Sequence, residues 1–296
     1  MIDTKIPMDK ILLIGDTIID IHTEGKLLGT SSETPTLVLS KNSETVTLGG
    51  AALVHRNLQA LKCDHQFITG INKKDDFKKH DDSITYIPTQ KKTTIKHRFW
   101  CKQYKLLQVD TNDNNPITLP EAIQAHGLIH QSNSPLIAIS DYRHGFLSSE
   151  LINLICTASN KIILDSQVAK QPANHHLYRN LYLTLLNEHE VNQYIDNLEW
   201  DDPDSWKHQL FKNIDSCQFI IKFGQKGCIY ITEDKTIQFK AKTINNPVDT
   251  TGAGDAFLAA LLSRWNDKDL TPAIKFATDW ATRSIMVKGA NPPNDR

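Results

Sequence analysis

Short apolar runs recur along the chain at spacings that leave room for a helix between them. Ile11 to Ile14, Leu136 to Ile139, Ile162 to Leu164, Leu181 to Leu185 and Phe219 to Ile221 read as strands buried on both faces, and Gln66 to Gly70 reads as another strand. Helical segments are predicted at Ala51 to Lys62, with Arg56 and Gln59 facing outward, and at Leu119 to His130, Ser148 to Ser159, Asn187 to Asn197, Pro203 to Asn213, Gly252 to Trp265 and Thr271 to Val287. That alternation predicts an α/β fold, a doubly wound and mostly parallel sheet flanked by helices. Cys228 to Thr232 and Thr236 to Phe239 add a hairpin, expected to be antiparallel.

A second set of stretches is more polar and strand-like. Pro35 to Leu39 and Glu44 to Leu48, separated by Lys41-Asn42-Ser43, predict a hairpin standing apart from the core between Ile21 and Leu48. Ile84 to Ile87, Thr93 to Phe99 and Leu106 to Val109 read as further strands. The dense charge run from Asn72 to Asp82 reads as a solvated loop.

Composition narrows the class. With 296 residues and 40% hydrophobic content, the chain suits one elaborated domain over 1–296. Lys+Arg at 33 against Asp+Glu at 34 leaves a net charge of −1, which points away from nucleic-acid and membrane-surface partners and toward a small molecule. The five cysteines form no Cys-x-x-Cys pair, so neither a zinc site nor a disulfide scaffold is expected. Met1 to Lys10 carries charges and no apolar run of signal-peptide length, and a cytoplasmic location is expected.

The chemistry concentrates at Asp249-Thr250-Thr251-Gly252-Ala253-Gly254-Asp255. The apolar run Ala256 to Leu262 follows directly, so Gly252 to Asp255 should begin a buried helix. Free backbone N–H groups and the positive end of the helix dipole meet there, and two glycines let an anion such as a phosphoryl group approach closely. Asp255 either complements the dipole or accepts a proton from a hydroxyl attacking phosphorus. Asp16, Asp141 and Asp165 each end an apolar run, and ligands of such sheets bind beyond the carboxyl ends of the strands. No Gly-x-Gly-x-x-Gly follows the first strand, which removes the dinucleotide fingerprint.

Taken together, Gly15-Asp16 with Asp20, Ser32-Glu33-Thr34-Pro35, Gly49-Gly50-Ala51-Ala52, Thr94-x-Lys96-x-Arg98, Ser140-Asp141-Tyr142, Asn187-x-x-Glu190, Gly224-x-x-Gly227 and Asp249 to Asp255 resemble the ribokinase-like (PfkB) carbohydrate kinases. Within that family the chain looks most like the heptose 7-phosphate kinase branch. The resemblance implies an ATP- and Mg2+-dependent phosphotransferase acting on a sugar hydroxyl. It implies Asp255 as catalytic base, with Gly252, Ala253 and Gly254 as the anion hole. It places Asn187 and Glu190 near the magnesium, through water, and Lys222, Gly224, Gly227 and Thr250 on the nucleotide side. Asp16, Asp20, Gly49, Gly50, Arg98 and Asp141 fall on the sugar side. A β lid from about 21–48 and 93–110 closes over the sugar and can pair two subunits as a homodimer.

Several positions depart from the pattern. Leu53 replaces an Asn that bonds the sugar, and Lys222 replaces a small hydroxyl residue. Gln108, His144 and Gln167 stand at positions commonly cationic in the heptose branch, and the passage from Gly70 to Ile84 suggests a deleted helix. These departures keep two alternatives open: a nucleotide-binding regulatory protein or degenerate kinase on the same fold, and a kinase for an unphosphorylated sugar or a nucleoside.

Overall fold

The structure is a computed structural model that describes residues 11–75, 81–157, 160–167, 172–287 and 289–293. The first strand, β1 (Ile11–Gly15), is buried at every residue because it lies between two parallel neighbours. Those neighbours are β4 (His65–Asn72) and β8 (Leu136–Asp141). Ile11 and Leu13 join the apolar core on one face, while Leu12 and Ile14 join the core on the other. The period-2 alternation thus serves two cores at once, which is why no polar position interrupts the run.

Beyond β8 the sheet continues through β9 (Lys161–Ser166), β10 (Leu181–Asn187) and β11 (Phe219–Lys222), all parallel. It ends in the antiparallel pair β12 (Gly227–Ile231) and β13 (Thr236–Lys240). Beyond β4 lies β5 (Ile84–Thr89), giving the order β13-β12-β11-β10-β9-β8-β1-β4-β5. Strand order reverses at β1, so the crevice between β1 and β8 is the switch point at which such sheets bind ligands. Helices α1 (Ala51–Ala60), α6 (Ala253–Ser263) and α7 (Thr271–Ser284) pack one face. On the other face pack α2 (Leu119–Gln131), α3 (Ser149–Cys156) and α5 (Lys207–Asn213).

A separate four-stranded sheet stands over the carboxyl ends of the strands. It consists of β2 (Thr17–Thr30), β3 (Leu37–Gly50), β6 (Thr94–Cys101) and β7 (Tyr104–Thr111), in the order β3-β2-β6-β7. The expected break at Lys41-Asn42-Ser43 does not occur. β3 runs unbroken through those residues, the turn lies at 31–36, and register shifts at Glu24/Gly25 and Leu27/Gly29 absorb the mismatch. Pairing with β2 on either side of Asn42, which the first register shift leaves as the extra residue, outweighs the turn preference of these three polar residues.

The helix expected from Asn187 to Asn197 is likewise shorter. Only α4 (Glu188–Val191) forms, and the chain continues as turns through Asn192 and beyond, where asparagine and aspartate compete with helical hydrogen bonds. Between β4 and β5 the described residues 73–75 and 81–83 hold no helix, and residues 76–80 of the charge run lie outside the described residues. The predicted end of α3 at residues 158–159 lies outside them too.

Candidate active site

The α6 helix starts at Gly252, which is its N-cap with φ of +81°. A Cβ built there would lie 2.4 Å from Leu53 Cδ2 on α1, so glycine is required both by conformation and by the contact. Asp249 braces the approach: Oδ1 accepts the Thr251 N–H at 2.9 Å and Oδ2 accepts the Gly289 N–H at 3.1 Å. The first turn of α6 is thereby aimed at a cavity of about 430 Å³ between the core and the lid. Thr250 to Asp255, Asn187, Glu190 and Lys222 line it, together with Asp20, Lys96 and Arg98 of the lid and Gly49, Gly50, Leu53 and Arg56 of α1 and its approach.

Asp255 is 7% exposed and accepts the Tyr142 hydroxyl at 2.7 Å on each oxygen. Burial pushes its carboxyl up to about 7, opposed by the Tyr142 hydrogen bond and Lys222 and assisted by Asp165. Such a group is half ionised near neutral pH, the range in which a carboxylate works best as a general base. Tyr142, in contrast, is pushed well above its ordinary value by burial and by Asp255, so it stays a donor.

Asp16 and Asp141 do not reach this cavity, contrary to the expectation that they face the sugar. Asp16 accepts the backbone N–H groups of Tyr142, His144 and Phe146 at 3.1, 3.2 and 3.1 Å. Asp141 Oδ2 accepts Ser166, Asn174 and Tyr178 at 3.0, 2.8 and 2.8 Å, and its Oδ1 accepts the Arg143 N–H at 2.8 Å. Buried carboxylates must be satisfied, and these two are satisfied by the chain itself. They hold the loop after β8 that carries Tyr142.

Asp20 does line the cavity, paired with Arg98. Its carboxylate passes over Gly49, where a Cβ would lie 2.3 Å from Oδ2. Gly50 has φ of +64° and presses on the Asp16 carbonyl, which accepts the Ala51 N–H at 2.9 Å. Asn187 and Glu190 close a reciprocal capping box at 3.0 and 2.8 Å and both face the cavity. One carboxylate and one amide are hard oxygen donors too few to enclose a cation, a set that fits Mg2+ held through waters and phosphates. No cluster of three His, Cys, Asp or Glu suited to a metal occurs among the described residues.

A second, mostly apolar cavity of about 290 Å³ adjoins the first and shares Lys222, Gly224, Thr250, Ala253 and Gly254 with it. Gly227, Ala241, Ile244, Pro247, Phe257, Ala281 and Ile285 supply its apolar lining, with Gln225, Lys242, Thr278 and Thr282 among the polar residues, a lining suited to a flat group whose anionic tail extends toward α6. A further cleft of about 740 Å³ opens at the amino ends of β8 and β9, at the opposite end of the strands from this chemistry. Tyr142, Arg56 and Asp165 are contributors without an assigned role from sequence. Asp165 was legible as the end of an apolar run, but Arg56 was expected to point outward and instead lines the cavity.

Comparison with known proteins agrees with this geometry. The sequence profile described as pfkB family carbohydrate kinase matches residues 8–296. The chain is 29% identical over 300 residues to the bifunctional protein HldE of Helicobacter pylori, covering 95% of this chain and 63% of that protein. It is 28% identical over 281 residues to the HldE of Campylobacter concisus, covering 90% and 59%. The chain therefore spans about three-fifths of the length of these relatives. Among solved structures, phosphofructokinase-2 of Escherichia coli in complex with potassium superposes with a TM-score of 0.78 at 15% identity, covering 97% of this chain and 96% of that one. Ribokinase of Arabidopsis thaliana complexed with ribose and ATP gives 0.70 at 16% identity, covering 96% of both. With the profile matched across nearly the whole chain, a ribokinase-like sheet and an aspartate at a glycine-led helix start beside two joined cavities, the chain belongs to the pfkB family of carbohydrate kinases, phosphotransferases with an alcohol group as acceptor.

Proposed function

We propose that this kinase transfers the γ-phosphoryl group of ATP to a sugar phosphate, with a heptose 7-phosphate at O1 as the leading acceptor. The observation that carries the reading is that Arg56 and Lys96, with Arg98 paired to Asp20, line the same cavity as Asp255 and the α6 N-terminus. An acceptor hydroxyl needs Asp255, and a second phosphate on the sugar needs cations in reach. His144 adds no cation, because burial and then Lys96 and Lys91 push it down to about 4. Arg56, Lys96 and Arg98 thus supply charge that Gln108, His144 and Gln167 do not.

Asp255 orients the acceptor hydroxyl and takes its proton, and the first-turn N–H groups of α6 receive the anionic phosphoryl oxygens. Asn187 and Glu190 would hold the magnesium through water. When bound with ATP, that ion offsets charge on the β- and γ-phosphates. The apolar second cavity takes the base.

The same reading assigns the outer face of the lid to a homodimer contact. Val46, His97, Val109, Phe99 and Leu107 share the face opposite Asp20, Lys96 and Arg98, linked by cross-strand pairing through Ile21, which itself packs against the core. Val46, Leu107 and Val109 are exposed on it.

A panel of sugars and sugar phosphates with ATP, scored by ADP release, tests the assignment. Turnover confined to phosphorylated acceptors, with Arg56→Ala raising their KM about 10-fold or more, is the expected result. Equal turnover of unphosphorylated sugars would reject the sugar-phosphate reading. The alternative, a nucleotide-binding protein without efficient transfer, has one observation in its favour: Tyr142 already occupies both oxygens of Asp255. Silence across the panel together with nucleotide-induced thermal stabilisation would select it.

A further inference from the structure

We infer that Lys222 is a catalytic cation of this site, whose ammonium contacts the phosphoryl group in transit, and that Asp165 is the positioning residue that holds it there. The inference rests on the kinase reading above and adds to it a group that acts in the transfer step.

Lys222 is the last residue of β11, at the carboxyl edge of the sheet, and its side chain reaches across β10 to Asp165 on β9. Nζ lies 3.1 and 2.9 Å from the two carboxylate oxygens, and both side chains are more than four-fifths buried. Built on Gly254, a Cβ would lie 3.6 Å from the same Nζ. The ammonium therefore sits over the first turn of α6, one residue from Asp255. It is also the cation common to the linings of both cavities. If the donor lies in one and the acceptor in the other, the group exchanged between them passes this nitrogen.

The ion pair does not explain itself. Taking two charges out of water at the end of a buried strand costs stability that an apolar pair of the same volume would avoid. An ammonium has three donors, and Asp165 engages it through two oxygens, leaving donor capacity toward the cavity. Three carboxylates act on it, Asp165, Glu190 and Asp255. Burial works against its charge, the three carboxylates together more than offset that, and the ammonium stays protonated at neutral pH. A fixed cation beside a helix N-terminus is suited to charge that grows on a transferring phosphoryl group and on its leaving oxygen.

In the step itself, the bond from the γ-phosphorus to the β–γ bridging oxygen breaks and a bond from the sugar oxygen to phosphorus forms. The bond electrons leave with ADP, and the hydroxyl proton goes to Asp255 and then to solvent. Lys222 neither gains nor loses a proton.

Calorimetric titration with AMPPNP and with ADP, both with Mg2+, separates this role from a structural one. The wild-type chain is expected to bind AMPPNP more tightly than ADP. Lys222→Met is expected to lose roughly 10- to 100-fold in AMPPNP affinity with ADP affinity changed only a few-fold. Its kcat should fall far more than its KM changes, and Lys222→Arg should recover part of both. Asp165→Asn, which keeps the ammonium but loosens it, should lower the AMPPNP preference by a smaller factor. Should Lys222→Met not fold, Lys222→Gln answers the same question. A variant without the ammonium that keeps the full wild-type preference for AMPPNP overturns the role of Lys222 and leaves the kinase reading standing. A wild-type chain that binds neither nucleotide overturns both.

Discussion

The Tyr142 hydroxyl lies 2.7 Å from each carboxylate oxygen of Asp255, and the loop that delivers it is held by the carboxylate of Asp16. Donation to the charged form favours ionisation, while burial opposes it more strongly, leaving Asp255 at about 7. As a base, Asp255 must be deprotonated. The profile of kcat/KM against pH should therefore rise to a plateau above about 7 and fall about tenfold per pH unit below it. Tyr142→Phe removes a hydrogen bond that favours the carboxylate, so the acid limb should move to higher pH. An acid limb at the same pH in both proteins would show that Asp255 is not the group titrating.

The same burial has a consequence for stability. With the folded value raised to about 7 from 3.8, the native state binds more protons than the unfolded chain between those two pH values. Asp255 thus favours folding most below the unfolded value, and that contribution is lost as pH rises through 7. At pH 8 the site carries a desolvated carboxylate at a cost on the order of a few kcal/mol. Asp255→Asn should therefore lower kcat by about 10²- to 10⁴-fold yet raise Tm at pH 8. The Tm difference should shrink toward zero at pH 4. A variant less stable than the parent at pH 8 would contradict this origin of the shift.

Gly252→Ala should be damaging for two separable reasons. The positive φ of +81° costs about 1–2 kcal/mol for an L residue, and the added methyl meets Leu53 Cδ2 at 2.4 Å. Leu53 is itself buried, so Leu53→Ala relieves the clash at its own cavity cost, and the two are separated by a double-mutant cycle. Denaturant unfolding of the two single variants and the double variant should show Gly252→Ala costing less in the Leu53→Ala background than in the parent, yet still about 1–2 kcal/mol. A Gly252→Ala cost of zero in that background would mean that the left-handed N-cap carries no strain.

Val109→Lys places a charge on the outer lid face, among residues register-linked to His97 and Phe99. The wild-type chain should sediment as a dimer and the variant as a monomer, since a lysine facing its copy across a two-fold contact is left unpaired. A variant that remains dimeric would move the contact away from this face.

Much of this could be read along the chain because buried parallel strands, glycine-led helix starts and their spacing are local properties. The apolar β1 run and the sequence from Gly252 to Asp255 announce themselves by residue type alone. The length of β3 could not be read, since a ladder with β2 decides it against the local preference of Lys41-Asn42-Ser43. Arg56 looked like a solvent-facing position on a helix because helical periodicity says nothing about a second sheet standing above that face. Asp16, Asp141 and Asp165 are indistinguishable as residues that end apolar runs, yet two are consumed by hydrogen bonds from their own chain and one holds an ammonium at the cavity. Sequence determined the fold class and the glycine-led start of α6, whose conformation depends mainly on neighbours in the chain. Only tertiary structure decided which carboxylates remain available, because that depends on donors brought from distant residues to the same point in space.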